Sequence, residues 1–188
     1  MIKAYKAEAI VLGRRSIGEA DRIITVFTKQ YGKKTVIAPG VRKIKSRKSA
    51  HLELFTHVLI MLAPGKNFDL VTEAQTIEAF TNIRFKLERI SFAYIGLELI
   101  HKLTAEGQES YRIFEKLIEY LRLLNNPQSS RKLATSILKL FKQGVLEELG
   151  FISNHRQMSE ENLDQTIEDI LERKLKSPEW LTNIQTNL

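Results

Sequence analysis

The sequence predicts an α+β protein, with a small five-stranded barrel over residues 1–80 followed by an all-α domain over residues 81–188. Two periodicities carry that reading. From Lys3 to Phe80 the apolar residues come in short β-branched runs bounded by glycine or proline, and after Asn82 they recur every three or four residues. Charge adds a third observation. Between Asp21 and Glu53 stand nine Lys or Arg residues and no carboxylate, and seven of those cations fall between Lys33 and Lys48.

In order, the strands are expected at Ala7–Leu12, Arg22–Thr28, Lys34–Ala38, Thr56–Ala63 and Leu70–Phe80. Gln30-Tyr31-Gly32-Lys33 reads as a hairpin turn, Pro64-Gly65-Lys66-Asn67 as a second, and Pro39–Ser49 as a long basic connection between the third and fourth strands. Five short strands fit an OB-fold, the partly open barrel that binds oligonucleotides. An SH3-like barrel fits the same count, and pattern alone does not choose between them.

Four helices are expected next. Phe85, Ile90, Ala93, Tyr94, Leu97, Ile100 and His101 mark the first, and Tyr111, Phe114, Leu117, Ile118, Leu121 and Leu124 the second, which Asn125-Asn126-Pro127 stops. The third is capped by Ser129 or Ser130, turns Leu133, Ile137, Leu138, Phe141, Val145, Leu146 and Leu149 inward, and ends at Gly150 with Phe151 following. The fourth runs from Ser159 to about Ser177, with Leu163, Ile167, Ile170, Leu171 and Leu175 as a narrow apolar stripe lying across the bundle.

Composition excludes several classes. With 43% hydrophobic residues in 188, the chain has enough apolar side chains for a buried core. The longest apolar run, Val58 to Ala63, is far too short to span a bilayer, and Met1 to Lys6 lacks the apolar stretch of a secretory leader. The expected location is therefore cytoplasmic, nucleoid-associated if DNA is the partner, with no membrane contact. The absence of cysteine removes disulfides, thiolate nucleophiles and Cys-based zinc sites.

Catalytic motifs are equally scarce. Gly65-Lys66-Asn67 lacks the hydroxyl and the upstream glycine of a phosphate-binding loop, and reads as a turn. His51, His57, His101 and His155 are scattered, with no pair at i, i+4. Glu147-Glu148 and Glu160-Glu161 are adjacent on helices and point in different directions. No catalytic residue, metal site or cofactor is assigned, and the expectation is a binding protein that performs no covalent step.

The charge is local. Residues 1–50 hold 13 basic and 3 acidic side chains, a net of +10, whereas residues 51–188 hold 16 and 19, a net of −3. Clustered Lys and Arg release condensed counterions when they neutralise phosphates, so such a loop is a footprint for a polyanion; a solvated charge run would have the same composition. Arg42, Lys43, Lys45, Arg47 and Lys48 are the candidate phosphate ligands, with Lys33, Lys34 and Arg14 or Arg15 as flanking support. Among the interleaved aromatics Tyr5, Phe27, Tyr31, Phe55 and Phe68, Phe27 reads as core and Tyr31, beside Lys29, Lys33 and Lys34, as a stacking face for a base.

Glu8-Ala9-Ile10-Val11-Leu12, Gly18-Glu19-Ala20-Asp21-Arg22-Ile23-Ile24-Thr25-Val26-Phe27-Thr28, Gly32, and Ala38-Pro39-Gly40-Val41-Arg42-Lys43 with Ser46 closely resemble the N-terminal domain of the bacterial recombination and repair mediator family RecO. The resemblance continues through Thr72–Phe80 and the helical segment to Leu149-Gly150-Phe151, and Leu175-Lys176-Ser177 with Leu181 looks like the family's C-terminal end. It implies an OB-fold followed by helices. It further implies binding to single- and double-stranded DNA, strand annealing, and work with the ring-forming partner RecR and single-strand-binding protein to load recombinase. Arg131, Lys132, Lys139 and Lys142 are candidate cations for the acidic C-terminal tail of single-strand-binding protein. An RNA-binding OB module in translation or ribosome assembly, or a protein-interaction scaffold, would use the same charge. Family members usually carry a lysine at Pro39 and a glutamate at Gln75.

Many members also carry a four-cysteine zinc module after the helix that ends here at Leu149-Gly150, where this chain has the short, cysteine-free stretch Ile152–Met158. The expectation is a compact variant lacking the zinc module. Structural zinc requires four well-placed ligands and contributes folding free energy, whereas only His155 lies in this stretch. Elemental analysis of tag-free protein should find substoichiometric zinc, and EDTA should leave the melting temperature unchanged; one zinc per chain, or a chelator-induced loss of stability, would contradict this reading.

Overall fold

The computed structural model describes residues 4–153 and 158–171. Met1 to Lys3, His155, the far end of the expected fourth helix and the Leu175-Lys176-Ser177 and Leu181 positions lie outside the described residues. The chain divides into two compact units, Met1–Phe80 with Thr104–Phe114, and Thr81–Leu103 with Glu115–Leu188.

In the first unit the strands β1 (Tyr5–Ile17), β2 (Asp21–Thr28), β3 (Gly32–Ala38), β4 (His57–Ala63) and β5 (Asp69–Glu78) close into a barrel in the order β1-β2-β3-β5-β4. All pairings are antiparallel except β3 with β5, which is parallel at Val36↔Asp69 and Ile37↔Leu70. That closure is OB-like and settles the topology that strand count leaves open. Alternation selects the core: Ala7, Ala9 and Val11, Ile24 and Val26, Val36 and Ala38, Val58, Ile60 and Leu62, and Val71 all point inward and are fully buried. Small residues of β1 pair with larger ones of β4, Ala7 with Ile60 and Ala9 with Val58, and all four are fully buried.

Two features were not legible as strand pattern. Residues 13–17 of β1 lack an inward apolar face, with Arg14 to Ile17 exposed, but pair through Ile17↔Asp21, after a register shift between Val11 and Gly13. The sheet hydrogen bonds, rather than an apolar face, keep them extended. The segment 104–114 belongs with the barrel: Glu106 forms a parallel bridge to Lys33, the Gly107 amide donates to the Lys33 carbonyl at 2.9 Å, and the Thr35 amide donates to Glu106 Oε1 at 2.9 Å. β3 pairs with β5 only from Val36, so this segment satisfies backbone groups that the barrel leaves open. Gly32 makes its passage possible, since at φ +63 a Cβ there would sit 2.0 Å from the Gln108 carbonyl oxygen.

The second unit is helical, with α1 (Leu87–Leu103), α2 (Tyr111–Asn125, entering from the first unit), α3 (Arg131–Glu148) and α4 (Glu160–Leu171). α1 is buried on nearly every side, and its Gly96 lies against the Tyr120 ring of α2. Tyr120 in turn stacks on Phe141 of α3 at 4.2 Å and donates to the Phe92 carbonyl at 2.6 Å. Of the two expected caps for α3, Ser130 takes the role, its hydroxyl accepting from the Leu133 amide at 3.3 Å. At the other end Gly150, at φ +77, donates to Glu147 and Phe151 to Leu146, closing a Schellman motif. Phe85 departs from expectation: it precedes α1 in a 3-10 turn and is exposed, as Tyr94, His101, Tyr111 and Leu133 are within their helices. α4 packs on α3 and α1 through buried Leu163 and Ile167, with Ile170 and Leu171 half-buried.

The basic connection after β3 is an ordered structure. Val41 is fully buried in the barrel core, and residues on both sides of it are tied to the β1–β2 hairpin. The Gly40 amide donates to Asp21 Oδ1 at 2.7 Å, the Arg42 amide to the Ala20 carbonyl at 2.8 Å, and the Arg42 guanidinium to the Gly18 carbonyl at 3.1 Å. Two successive turns follow, with Lys43 donating to Gly40 at 3.1 Å and Ser46 to Lys43 at 2.9 Å. A hydrogen bond to a charged acceptor is worth about 1.5–3 kcal/mol. Asp21→Ala should therefore speed hydrogen exchange of the Gly40 amide about tenfold or more while leaving the Ile24 and Ile60 amides as they were; equal protection of Gly40 in the variant would show that the loop is held by other contacts.

Candidate nucleic-acid interface

The fold sorts the nine cations that lie between Asp21 and Glu53. Those on β2, β3 and the turn between them meet acids from elsewhere in the chain. Arg22 lies 3.4 Å from Glu53, which also binds Arg14; Lys29 lies 3.4 Å from Glu8; Lys34 lies 2.8 Å from Asp69. Lys33 donates to the Thr104 carbonyl, and burial lowers its pKa against the opposing pull of Glu106. The loop cations are treated differently. Arg42, Lys43, Lys45 and Arg47 are exposed, and among the described residues none of them meets a carboxylate.

Lys48 sits at the edge of this group. Its ammonium turns inward to the Val71 carbonyl at 2.7 Å, and burial lowers its pKa although Asp21 pulls the other way. Lys48 is thus a strut of the loop more than a contact on its surface. Arg15, on the β1 arm, is exposed and makes no ion pair or side-chain hydrogen bond among the described residues. Its strand neighbour on β2 is Ile23, one residue from Arg22, whose own partner on β3 is Ala38, so the hairpin end and the start of the loop share one rim of the barrel. That rim presents Arg15, Arg42, Lys43, Lys45 and Arg47, with Arg14 and Arg22 beside them tempered by Glu53.

Tyr31, Lys33 and Lys34 are not brought to that rim. They stand at or just before the opposite end of β3, about 13 to 23 Å from Ala38 along the chain at roughly 3.3 Å per residue. There Tyr31, 36% exposed, meets the Tyr5 ring edge-on at 5.0 Å. The Lys34 ammonium lies 5.5 Å from the Tyr5 ring centre and 5.9 Å from that of Tyr31. Burial alone would lower the Lys34 pKa, but its hydrogen bonds to Asp69 and the Tyr5 hydroxyl raise it, and the same contacts hold Asp69 below the ordinary carboxylate value against the effect of its own burial. This is a neutralised cluster that braces the β3–β5 closure. Sequence reading missed the balancing carboxylates, Glu53 for Arg14 and Arg22, Asp69 for Lys34 and Glu106 for Lys33, since each lies far along the chain from its cation.

In the second unit Arg131 pairs with Glu88 at 3.3 Å while remaining about half exposed, Lys132 is exposed, and Lys139 is half-buried. Lys142 is inside the unit, 4% exposed and 2.5 Å from Asp164, where it joins α3 to α4. It is unavailable to a partner at the surface. Among the described residues no three His, Asp or Glu side chains come together as metal ligands, and no helix is long and apolar enough to cross a membrane.

Comparison with known proteins adds descent to this geometry. The family model described as recombination protein O N terminal matches residues 1–80, and the one described as recombination protein O C terminal matches residues 84–154. DNA repair protein RecO of Roseiflexus sp. (strain RS-1) is 43% identical over 123 residues, 65% of this chain and 43% of that protein. The protein of the same name from Pelotomaculum thermopropionicum is 39% identical over 123 residues, 65% of this chain and 48% of that protein. In Dehalococcoides mccartyi (strain ATCC BAA-2266 / KCTC 15142 / 195) the figure is 37% over 147 residues, 78% of this chain and 56% of that protein. The matches thus span about half the length of these relatives. With both family models matched in order, on a barrel and a helical unit that fit them, the chain belongs to the recombination protein O family.

Proposed function

We propose that this protein is a DNA-binding, strand-annealing mediator of recombinational repair that uses the rim of its barrel to hold phosphates. The observation that supports this most is the set of four exposed loop cations without acidic neighbours among the described residues, on a loop fixed by Val41 and the Asp21–Gly40 bond. Annealing two polyanions is slowed by their repulsion. A fixed basic rim concentrates and screens both strands, so it accelerates the encounter without a covalent step. Backbone contacts of this kind carry no sequence information, which suits a mediator acting on any broken chromosome. The relatives' name supports the repair context.

The partners are proposed on the same basis. RecR and single-strand-binding protein are expected to cooperate in loading recombinase, with the acidic tail of the latter held by Arg131, Lys132 and Lys139 on the helical unit. A shallow hollow between α2 and α3, lined by Lys116, Glu119, Leu123, Leu140 and Phe141, offers apolar surface with one ammonium and one carboxylate within the same unit.

Annealing of complementary oligonucleotides coated with the cognate single-strand-binding protein tests the reading: acceleration by this chain supports it, and no acceleration contradicts it, because neither an RNA-binding translation factor nor a scaffold should have that effect. Replacing Arg42, Lys43 and Arg47 together by Ala should weaken binding to unrelated single strands alike and flatten the slope of log K against log[salt] by up to about 2, at roughly 0.7 per lost contact. The melting temperature should fall by no more than a few degrees, since these side chains are exposed and only Arg42, through the Gly18 carbonyl, touches the fold; an unchanged salt slope would remove the loop from the DNA site.

A further inference from the structure

The loop holds one residue that phosphate binding does not explain. Ile44 lies in the middle of Arg42-Lys43-Ile44-Lys45-Ser46-Arg47 and is fully exposed, while Val41, the other β-branched apolar residue of the loop, is fully buried. The two turns account for the difference. Val41 is inside the Gly40–Lys43 turn, which is pinned to the β1–β2 hairpin, whereas Ile44 and Lys45 are the two central residues of the Lys43–Ser46 turn and project from it. An isolated exposed isoleucine is ordinary on a protein surface. One held at the tip of a fixed turn, with a cation on each side about 3.8 Å away along the chain, is placed where phosphates would bring bases.

We propose that Ile44 is the base-contacting residue of this rim, an apolar wedge that packs against or between the unstacked bases of a single strand while Arg42, Lys43, Lys45 and Arg47 hold its phosphates. The inference rests on the proposed DNA-binding function and adds a second, non-electrostatic component to it. The charge around the residue selects the occupant: four neighbouring cations repel a basic partner and attract a polyanion, and among polyanions a single strand also offers exposed apolar faces. A branched side chain is stiff at χ1, so it keeps its position in the turn and can separate neighbouring bases, as apolar wedges do elsewhere.

The two components are separable by salt. Binding of a fluorescein-labelled single-stranded oligonucleotide should be measured from low to high salt with the wild-type chain, Ile44→Ala and the Arg42/Lys43/Arg47 triple variant. Ile44→Ala should be roughly tenfold weaker at every salt concentration with an unchanged slope, because it removes buried apolar area and no charge. The triple variant should instead flatten the slope. A 2-aminopurine placed in the strand should brighten on binding wild-type protein and not on binding Ile44→Ala, because separation from its neighbours relieves quenching. If Ile44→Ala binds as the wild type does at all salts and the probe behaves identically, the wedge is overturned while DNA binding stands. If the wild-type chain shows no affinity for the strand, both the wedge and the function it rests on fall.

Discussion

The burial of Val41 is the constraint on which the candidate site depends. A run of like charges repels itself and, left to solvent, stays extended and mobile. Here one apolar side chain enters the same barrel core as Ala38 and Leu52. Burying a valine is worth about 1.5–3 kcal/mol, enough to hold the base of the loop against that repulsion when the Asp21–Gly40 bond and the Arg42 contacts to residues 18 and 20 act with it. The cations that follow are therefore presented in a fixed arrangement, and a ligand need not be charged with the entropy of ordering them.

Neutralisation elsewhere sharpens this arrangement. Glu53 tempers Arg14 and Arg22, Asp69 binds Lys34, and Glu8 lies beside Lys29, so these barrel cations, unlike Arg15, are occupied. The loop cations Arg42, Lys43, Lys45 and Arg47, unpaired with any carboxylate among the described residues, are thereby left with Arg15 on one rim. The same pairs brace the barrel: Lys34 and Asp69 span the parallel β3–β5 closure, and Tyr5 donates to Asp69 from β1. Partly exposed ion pairs of this kind contribute little to stability individually, so their main consequence lies in where they leave charge unbalanced.

Much of this was legible in the sequence. The short apolar runs Ala7–Leu12 and Thr56–Ala63, the Gly32 turn and the Leu149-Gly150-Phe151 helix end are local signals, and the structure carries each of them out through local geometry. The polar arm of β1 was not, because Gly13 to Ile17 are held by backbone pairing that leaves no apolar trace. Nor was the docking of residues 104–108 on β3, which depends on one bridge and a Glu106 side chain more than seventy positions from Thr35 in the chain. Lys142 falls on the inward stripe of α3 among apolar neighbours, and only the approach of Asp164 from α4 explains a buried ammonium there. The basic loop itself was plain from composition. What composition could not reveal was which of its cations are spent on the fold: Lys33 and Lys34 at the far end of β3, and Lys48 on the Val71 carbonyl.

Chemical-shift mapping of the isotopically labelled chain with a short single-stranded oligonucleotide tests the central claim most directly, because it reports every backbone amide at once. The account predicts that the largest perturbations fall on Arg14 to Arg22 and Gly40 to Lys48, the two stretches that form the rim, with Tyr31 to Lys34 little changed. Perturbations centred instead on the Tyr5–Tyr31 end of the barrel or on α2 and α3, with the loop unmoved, would contradict it.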